Sequence, residues 1–428
     1  MRWFVRVGTI AAAVAVIVSC SNDPSAPGLS RLAATIDSPD RILTLPIGAR
    51  VPITCLARLP NGAVFRSPLV RSASDGPVTG TNCSDLRVRH SGVDTLMVFM
   101  PHDTVWVPIA VAVPPVLQRG DDDRLKVDDM HGLTAEWAPS ARVAPDGRIE
   151  IYFAGTSGER TPTGNSRTNL YRVSADPAGH TDDPTELTFH FDGLMLPHDS
   201  ADCAPNGDGI ENIVILPRND AAGWRMLYSS GGFTCYGWQV FSAVSADGDH
   251  WTKESGARIP NGGPLPPAPP QGGPWPSGEG MWAEQLPGGE WRLLVGAYEP
   301  ITPPDPRFQI VEYRSTDQLN WHYVGPVLTT SELPEDARRS VYSPAVREVA
   351  PGLWRMIFTA DNLNEPGGRS RLYSAVSTDR TRWQLEGVLL AKADTNFFYS
   401  ALAGDLLVYI AAPPQQSGTL HAATLLMP

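Results

Sequence analysis

The chain has 428 residues and a formal net charge of −12, and 42% of its residues are hydrophobic. This acidic balance, without any cluster of Lys and Arg, argues against a nucleic-acid-binding protein and against polybasic lipid binding. The 41 Pro and 39 Gly, set against 12 Trp, predict a folded protein rich in turns. No stretch keeps the helical period of 3.6 residues over a useful length, so the sequence predicts an all-β fold.

The N-terminus has the pattern of an export signal. Arg2 and Arg6 are followed by an apolar run at 7–18, which is too short to span a bilayer comfortably. The run ends in Ile-Val-Ser-Cys, which resembles the bacterial lipoprotein box. This resemblance implies that Cys20 is lipidated and becomes the mature N-terminus. The alternative is an ordinary signal peptide with an incidental cysteine.

Two segments follow from the lipoprotein interpretation. Residues 1–19 form a lipoprotein signal peptide, and residues 20–32, which are rich in Ser, Pro and small side chains, form a flexible tether. We therefore expect an extracytoplasmic protein of the cell envelope that meets the membrane through its N-terminal lipid only.

The cysteines support this interpretation. The chain has five, and an odd thiol in an exported protein needs an explanation, which lipidation of Cys20 supplies. The other four divide by region into a Cys55–Cys83 pair and a Cys203–Cys235 pair. Each bridge would close a loop of about 30 residues and stabilise the fold by roughly 3 kcal/mol. No CxxC or Cys/His cluster indicates zinc, and we predict neither a metal nor another cofactor.

Residues 33–116 alternate apolar and polar side chains in short runs, which predicts a small β-sandwich with one disulfide. The Leu-Pro-Ile-Gly at 45–48 and the Pro-Asn-Gly turn at 60–62 resemble bacterial Ig-like domains. The expected role of this domain is spacing, with adhesion to sugar or cell wall as the alternative.

The C-terminal part repeats one pattern three times: a Trp-Arg-apolar triplet, a turn-rich gap, and Ser-x-Asp-x-x-x-Trp. The serines lie 70 and 62 residues apart, whereas the triplet-to-serine distances are 21, 24 and 23 residues. Such a period, built from short strands and turns, is typical of propeller blades, and two weaker units bring the count to five. The repeated residues are Trp224, Ser245, Asp247 and Trp251; Trp291, Ser315, Asp317 and Trp321; and Trp354, Ser377, Asp379 and Trp383.

These motifs have a structural interpretation that needs no ligand. An Asp or Ser in a tight turn binds nearby backbone amides, and the following Trp packs between blades. The Arg of each Trp-Arg pair would cover the indole with its stem or place its head against a carboxylate. The fold class predicted is thus a small Ig-like β-sandwich followed by a five-bladed β-propeller at 125–428.

The segments "SAVSADGDHW", "SAVSTDRTRW" and "YSPAVREVAPGLWRMIFTA" resemble blades of five-bladed glycoside hydrolases of the arabinanase, invertase and levansucrase type. The resemblance covers roughly residues 125–428. It implies a carbohydrate ligand and two axial carboxylates, one that protonates the leaving oxygen and one that activates water or attacks the sugar. The chain departs from the family at the start of blade one, where Ala138-Pro139 replaces the usual Asp-Pro.

Three carboxylates are the catalytic candidates. Glu279, followed by Gly280, resembles the general acid of the arabinanase-type enzymes, although Met281 replaces the usual Pro. Glu136 matches its position in blade one by residue count, and Asp208 is the candidate in blade two. Solvated loop acids or calcium ligands are the alternative interpretation.

Further residues are candidates for binding a substrate. Four aromatic residues are expected at equivalent places on four blades, where they would ring the axial opening and present flat faces to sugars; packing between blades is the alternative. The binding candidates are Trp137, Trp282, Tyr342, Tyr399, Asp202 and Glu211.

The sequence therefore predicts a surface-anchored lipoprotein that acts as a monomer, and whose propeller binds carbohydrate and in the leading interpretation hydrolyses it. The alternative is a non-catalytic propeller that binds a glycan or a protein. Two carboxylates that face one pocket would favour the enzyme. The absence of a Gly-x-Ser-x-Gly motif disfavours a serine hydrolase.

Overall fold

The computed structural model of the protein is all-β, and its described residues include a short 3-10 turn at Thr330–Glu332. The strands pair almost entirely in antiparallel fashion, as the alternating pattern and the Gly- and Pro-rich turns predict. The described residues are 31–36, 42–58, 64–65, 69–72, 75–100, 103–119, 123–130, 132–133, 136–158, 167–176, 186–199, 209–231, 239–260, 275–298, 308–334, 340–361, 369–413 and 418–427.

In the N-terminal part, the described residues form three small sheets. A cluster of buried Val, Leu and Ile side chains fills the space between them. The predicted Cys55–Cys83 disulfide is confirmed and joins this core, whereas Cys20, Cys203 and Cys235 lie outside the described residues. The strands are β1 (Arg31–Ile36), β2 (Leu43–Thr44), β3 (Ile53–Arg58), β4 (Val64–Phe65), β5 (Leu69–Arg71), β6 (Val78–Thr79), β7 (Arg87–Val88), β8 (Gly92–Met100) and β9 (Asp103–Ala112). Their orders in the three sheets are β1-β3-β4, β2-β9-β8-β5 and β6-β7.

The described residues that follow form five four-stranded sheets, and the predicted five-bladed propeller is confirmed. In blades one to four the chain runs from the inner strand outward through successive antiparallel neighbours. The first three blades are β11 (Glu136–Val143), β12 (Ile149–Gly155), β13 (Asn169–Ala175) and β14 (His190–Leu196); β15 (Gly209–Pro217), β16 (Trp224–Gly231), β17 (Gln239–Ser245) and β18 (Thr252–Lys253); and β19 (Trp275–Gln285), β20 (Trp291–Tyr298), β21 (Phe308–Ser315) and β22 (His322–Leu328).

Blade five is closed by a strand from the other end of the propeller sequence. Its outermost strand, β10 (Val116–Gln118), pairs antiparallel with β29 (Thr419–Leu426), with Val116 opposite Leu426 and Gln118 opposite Thr424. The last two blades are β23 (Ser340–Ala350), β24 (Leu353–Asp361), β25 (Ser370–Ser377) and β26 (Gln384–Leu390); and β27 (Asn396–Ala403), β28 (Leu406–Ala412), β29 (Thr419–Leu426) and β10 (Val116–Gln118).

The propeller therefore starts earlier than the predicted boundary at residue 125, because β10 already belongs to a blade. Asp123, which follows β10, reinforces the closure: its carboxylate accepts a hydrogen bond from Tyr409 Oη at 2.7 Å and pairs with His421 Nδ1 at 2.9 Å. A three-residue edge strand carries no periodic pattern, which is why the sequence did not reveal this pairing.

The three Ser-x-Asp-x-x-x-Trp motifs form the turns before the outermost strands β18, β22 and β26, and their predicted structural role is confirmed. Asp247 Oδ1 accepts hydrogen bonds from the backbone amides of Asp249 and His250 at 2.8 and 2.9 Å. Asp317 and Asp379 make the same pair of bonds in blades three and four.

The arginines of the Trp-Arg pairs are buried, and each faces a Glu of its own blade. The pairs are Arg225 with Glu254, Arg292 with Glu312, and Arg355 with Glu386. Each guanidinium also reaches beyond its blade. In blade two, Arg225 Nη1 donates to Gln318 Oε1 of the blade-three turn at 2.9 Å. In blade four, Arg355 Nη2 donates to the backbone oxygen of Val113 at 2.8 Å. The segment that leads into β10 thus anchors blade four as well as completing blade five.

The N-terminal sheets contact blade four at the face where the inner strands end. Ile42 exchanges two hydrogen bonds with the side chain of Gln384, at 3.1 and 2.7 Å. Ile42 and Ala112 also pack against Leu353 and Val376 of the blade. The opposite face, where the inner strands begin, is called the rim face below.

Candidate active site

Each inner strand carries a bulge of one extra residue near the rim face, where the pairing with the second strand shifts, and the pairing of β19 shifts once more between Pro276 and Glu279. One residue in each bulge has a positive φ. These residues are Ala138 (49°), Asn212 (45°), Gly280 (66°), Ser343 (55°) and Tyr399 (46°). The residue before each bulge residue has an equivalent place in every blade, which we call a rim position. The rim positions are Trp137, Glu211, Glu279, Tyr342 and Phe398.

The bulges correct two of the predicted equivalences. The rim position of blade two is Glu211, whereas Asp208 and Asp202 lie outside the described residues. In blade one the rim position is Trp137, and Glu136 is the first residue of β11, one place earlier. Both bulges add one residue, so they do not offset the two blades: Ala141 and Ala283 lie opposite the third residues of β12 and β20, and four residues before them come Trp137 and Glu279. The sequence matched Glu136 with Glu279 because nothing in it marks the exact first residue of an inner strand.

The four predicted aromatic residues do not occupy equivalent places. Trp137 and Tyr342 are rim residues, but Tyr399 is a bulge residue and Trp282 lies two residues beyond its bulge. Trp282 packs against the apolar core between blades three and four and also lines the axial cavity described next.

The five inner strands surround one axial cavity of about 190 Å³. Ser140, Asn212, Gly280, Ser343 and Ser400 each contribute to its wall from a different blade. Neighbouring blades approach closely at this level. A Cβ at position 280 would lie 2.2 Å from the Cα of Ser343, and the Gly280 amide donates to Asn212 Oδ1 at 2.8 Å. The five strands therefore converge on one axis, as the repeat pattern predicts.

Glu279 lies between two glycines with positive φ, Gly278 and Gly280. Its Oε2 accepts a hydrogen bond from Tyr399 Oη of blade five at 2.9 Å. The Tyr399 ring packs edge-on against Tyr342 of blade four, with centroids 5.7 Å apart. Gly296 makes room for this cluster, because a Cβ there would meet the Cβ atoms of Tyr342 and Glu279 at 2.9 and 3.0 Å.

The surroundings of Glu279 favour its protonated form. Burial, and secondarily the negative charge of Asp361, raise its pKa to about 7, although the Tyr399 hydrogen bond acts in the opposite direction. The side chain nevertheless remains partly accessible. Burial also raises the pKa values of Tyr342 and Tyr399 well above 10, so both phenols are neutral hydrogen-bond donors at pH 7.

Asp361 was not among the predicted site residues. It ends β24 on the rim face, opposite Ser340 and Ser370 on the neighbouring strands, and is 6% exposed. In the sequence it resembles any acid at the end of a strand. Glu211 is close enough to Tyr399 for its charge to raise the pKa of that phenol. The signal that could have identified Glu211 is the following Asn, since Glu211-Asn212 and Glu279-Gly280 both place a carboxylate before a residue that tolerates positive φ.

Carboxylates from blades two, three and four thus meet around one aromatic cluster, and one of them holds its proton near neutral pH. Two carboxyl groups in different protonation states are what acid–base chemistry on a glycosidic bond requires. Among the described residues, no group of three or more His, Cys, Asp or Glu side chains could hold a metal ion. That part of the chain also contains no helix with the length and apolarity needed to cross a membrane.

No protein-family model matches the chain, and no curated protein matches it. Several solved structures are similar to it. One described as "Glycoside hydrolase" is 12% identical with a TM-score of 0.52, and one described as a complex of BT0996 with RGII is 11% identical with a TM-score of 0.51. Each alignment covers 73% of this chain and 93% of the other. At this identity the likeness shows a shared fold. Fold and site together define a five-bladed β-propeller with an acidic, aromatic pocket at its axis.

Proposed function

We propose that the propeller binds carbohydrate and hydrolyses glycosidic bonds, with Glu279 as the general acid. The observation that carries this proposal is the carboxyl group of Glu279: it lies at the axial rim, is partly accessible, and has a pKa raised to about 7. A general acid works best when its pKa is near the operating pH. The shared fold with a glycoside hydrolase supports the same chemistry.

In the proposed reaction Glu279 gives its proton to the glycosidic oxygen as the bond to the anomeric carbon breaks. Glu211, the rim residue of blade two, serves as the second carboxylate and either takes a proton from the attacking water or attacks the sugar itself. Asp361 is buried and holds the proton on Glu279 by its negative charge. Trp137, which is partly exposed, offers its ring face to the sugar, whereas the buried ring of Tyr342 supports Tyr399. Glu136 and Asp208 remain predicted catalytic candidates, and Asp202 remains a predicted binding residue.

The first prediction tests hydrolysis directly. The protein should release new reducing ends from at least one member of a panel of plant and microbial polysaccharides. The panel should include RGII, because one structural neighbour was solved as a complex described by that name. Calorimetric titration with the same panel reports binding separately. Binding without release of reducing ends from any polysaccharide would replace hydrolysis by a purely binding role.

We also propose that the protein is anchored to the cell envelope through a lipid on Cys20, and that the N-terminal domain is Ig-like and spaces the propeller from the membrane. The export-signal pattern and the Ile-Val-Ser-Cys sequence support the anchor.

Cys20→Ser should move the protein from the membrane fraction to the soluble fraction, because no lipid could then be attached. Fractionation and immunoblotting measure this, with Ser21→Ala as a control that keeps the cysteine. A Cys20→Ser protein that stays in the membrane fraction would overturn the lipoprotein proposal.

A further inference from the structure

Tyr399 adopts a backbone conformation that its side chain disfavours. The bulge residues of the other four blades are Ala, Asn, Gly and Ser, which are small or tolerate positive φ, whereas Tyr399 has a bulky ring at φ +46°. Bulky residues keep this conformation only where the surrounding structure imposes it, and such strained positions cluster at functional sites. The positive φ of Tyr399 therefore indicates that the bulge of blade five has a functional role besides packing.

The conformation brings the phenol into contact with the candidate acid. Tyr399 Oη donates to Glu279 Oε2 at 2.9 Å across the axis from blade five to blade three. The ring is held in turn by Tyr342, whose ring centroid lies 5.7 Å away and which itself packs against Phe308 at 5.8 Å. The next residue, Ser400, fixes the strand, because its amide donates to Ser343 Oγ at 3.0 Å and its hydroxyl to the Ser343 backbone oxygen at 3.0 Å. The phenol is thus positioned by its own ring contacts and by the bonds of the next residue to the adjacent blade.

We infer that Tyr399 is a positioning residue for Glu279: its hydroxyl engages one carboxyl oxygen, Oε2, and so directs the acidic proton to the other, Oε1. This inference rests on the proposed role of Glu279 as the general acid. A carboxylic acid that can rotate freely presents its proton to a leaving oxygen only part of the time, whereas one held at a single oxygen keeps a constant geometry. Tyr399 was predicted to bind sugar through its aromatic ring, and this inference gives its hydroxyl group a role as well.

The titratable groups that face this pair act on it in known directions. Asp361 raises the pKa of Glu279, and the hydrogen bond from Tyr399 lowers it. Glu279, Glu211 and Tyr342 all raise the pKa of Tyr399, which stays a neutral donor. Removal of the hydroxyl should consequently make Glu279 harder to ionise.

Tyr399→Phe tests the inference, because Phe keeps the ring and the backbone conformation and removes only the donor. The Glu279 carboxyl carbon, labelled with ¹³C and assigned by its loss in Glu279→Gln, should titrate roughly half to one pH unit higher in Tyr399→Phe. On a hydrolysed substrate, kcat should fall at least about tenfold with KM within about twofold, since the bond matters most when the proton is transferred. The alkaline limb of the pH profile should move upward with the titration.

Tyr152→Phe is the matched control, because Tyr152 Oη also donates to a glutamate, Glu150, at 3.0 Å, but in blade one. It should leave the Glu279 titration unchanged. An unshifted titration in Tyr399→Phe, or an equal shift in Tyr152→Phe, overturns the inference. If the Phe variant does not fold, the wild-type protein decides: the ¹³Cζ resonance of Tyr399 should report the same midpoint as the Glu279 carboxyl, and independent midpoints overturn the inference. Because the titration needs no substrate, it gives an answer even if the protein hydrolyses nothing and the proposed function fails.

Discussion

Glu279→Gln should lower turnover of a natural glycan by a factor of about 10²–10⁴ with little change in binding, because the amide keeps the size of the side chain but cannot give up a proton. Turnover and binding are measured on the polysaccharide that the wild-type protein hydrolyses. An aryl glycoside with an activated leaving group needs no proton and should lose much less. Equal losses on the two substrates would contradict the role of general acid.

The raised pKa of Glu279 also predicts how turnover and folding stability depend on pH. With the pKa of Glu279 at about 7, the proton needed for catalysis is lost as the pH rises through 7, so kcat should fall on the alkaline side with a midpoint near that value. The free energy of unfolding should also decrease as the pH rises. Because the pKa of Glu279 is raised by folding from 4.5, its contribution to the free energy of unfolding is fully present below pH 4.5 and decreases up to about pH 7.

Glu279→Gln should abolish that part of the pH dependence, because the amide does not titrate. Chemical denaturation between about pH 4.5 and 8 measures it without any substrate. Wild-type and Gln proteins whose free energies of unfolding change in parallel over this range would show that the pKa of the carboxyl group is not raised by its surroundings.

Arg355→Ala should lower the free energy of unfolding by about 3–5 kcal/mol, the usual cost of removing one partner from a buried ion pair. The Arg355 side chain is fully buried. Its Nε donates to Glu386 Oε2 at 2.7 Å, and its Nη2 donates to Glu386 Oε1 at 2.8 Å. The variant would leave the Glu386 charge buried beside an empty space. It would also remove the hydrogen bond to the Val113 backbone, and with it one of the contacts that hold the N-terminal segment on blade four.

A double variant separates the cost of leaving the Glu386 charge unpaired from the cost of losing the packing of the Arg355 side chain. Arg355→Met with Glu386→Leu removes both charges and fills the space with apolar atoms, so it should recover most of the stability. Chemical denaturation of the single and double variants gives both values. Should Arg355→Ala cost less than about 1 kcal/mol, the range of exposed ion pairs, the pair would not be buried in solution as the structure has it.

The repeated motifs were sufficient to predict the blades. Asp247, Asp317 and Asp379 each bind the amides two and three residues further on, so the turn is defined within a few neighbouring residues. Interactions of this range leave a signature in the order of residues. The Cys55–Cys83 bridge was also predictable, because one short domain contains these two cysteines and an even number of cysteines indicates pairing.

The candidate site was predicted only in part. Glu279 was identified from its motif, but Glu211 became its counterpart only when the bulges showed which residues share the rim. Asp361 acts on Glu279 from a different blade and from the second strand, and no pattern in the chain links the two. Tyr399 was predicted to line the pocket as an aromatic face, whereas its hydroxyl proves to bind the acid.

The sequence by itself thus determined the all-β class, the number of blades and the turns before the outermost strands of blades two to four, because hydrophobic alternation and turn chemistry act between near neighbours. The tertiary structure decided the closure of blade five by Val116–Gln118, the convergence of Glu211, Glu279 and Asp361, and the raised pKa of Glu279. These depend on pairing between distant segments, on one extra residue in each inner strand and on burial. All three arise only when the blades assemble around their axis, since desolvation and charge act through space and not along the chain.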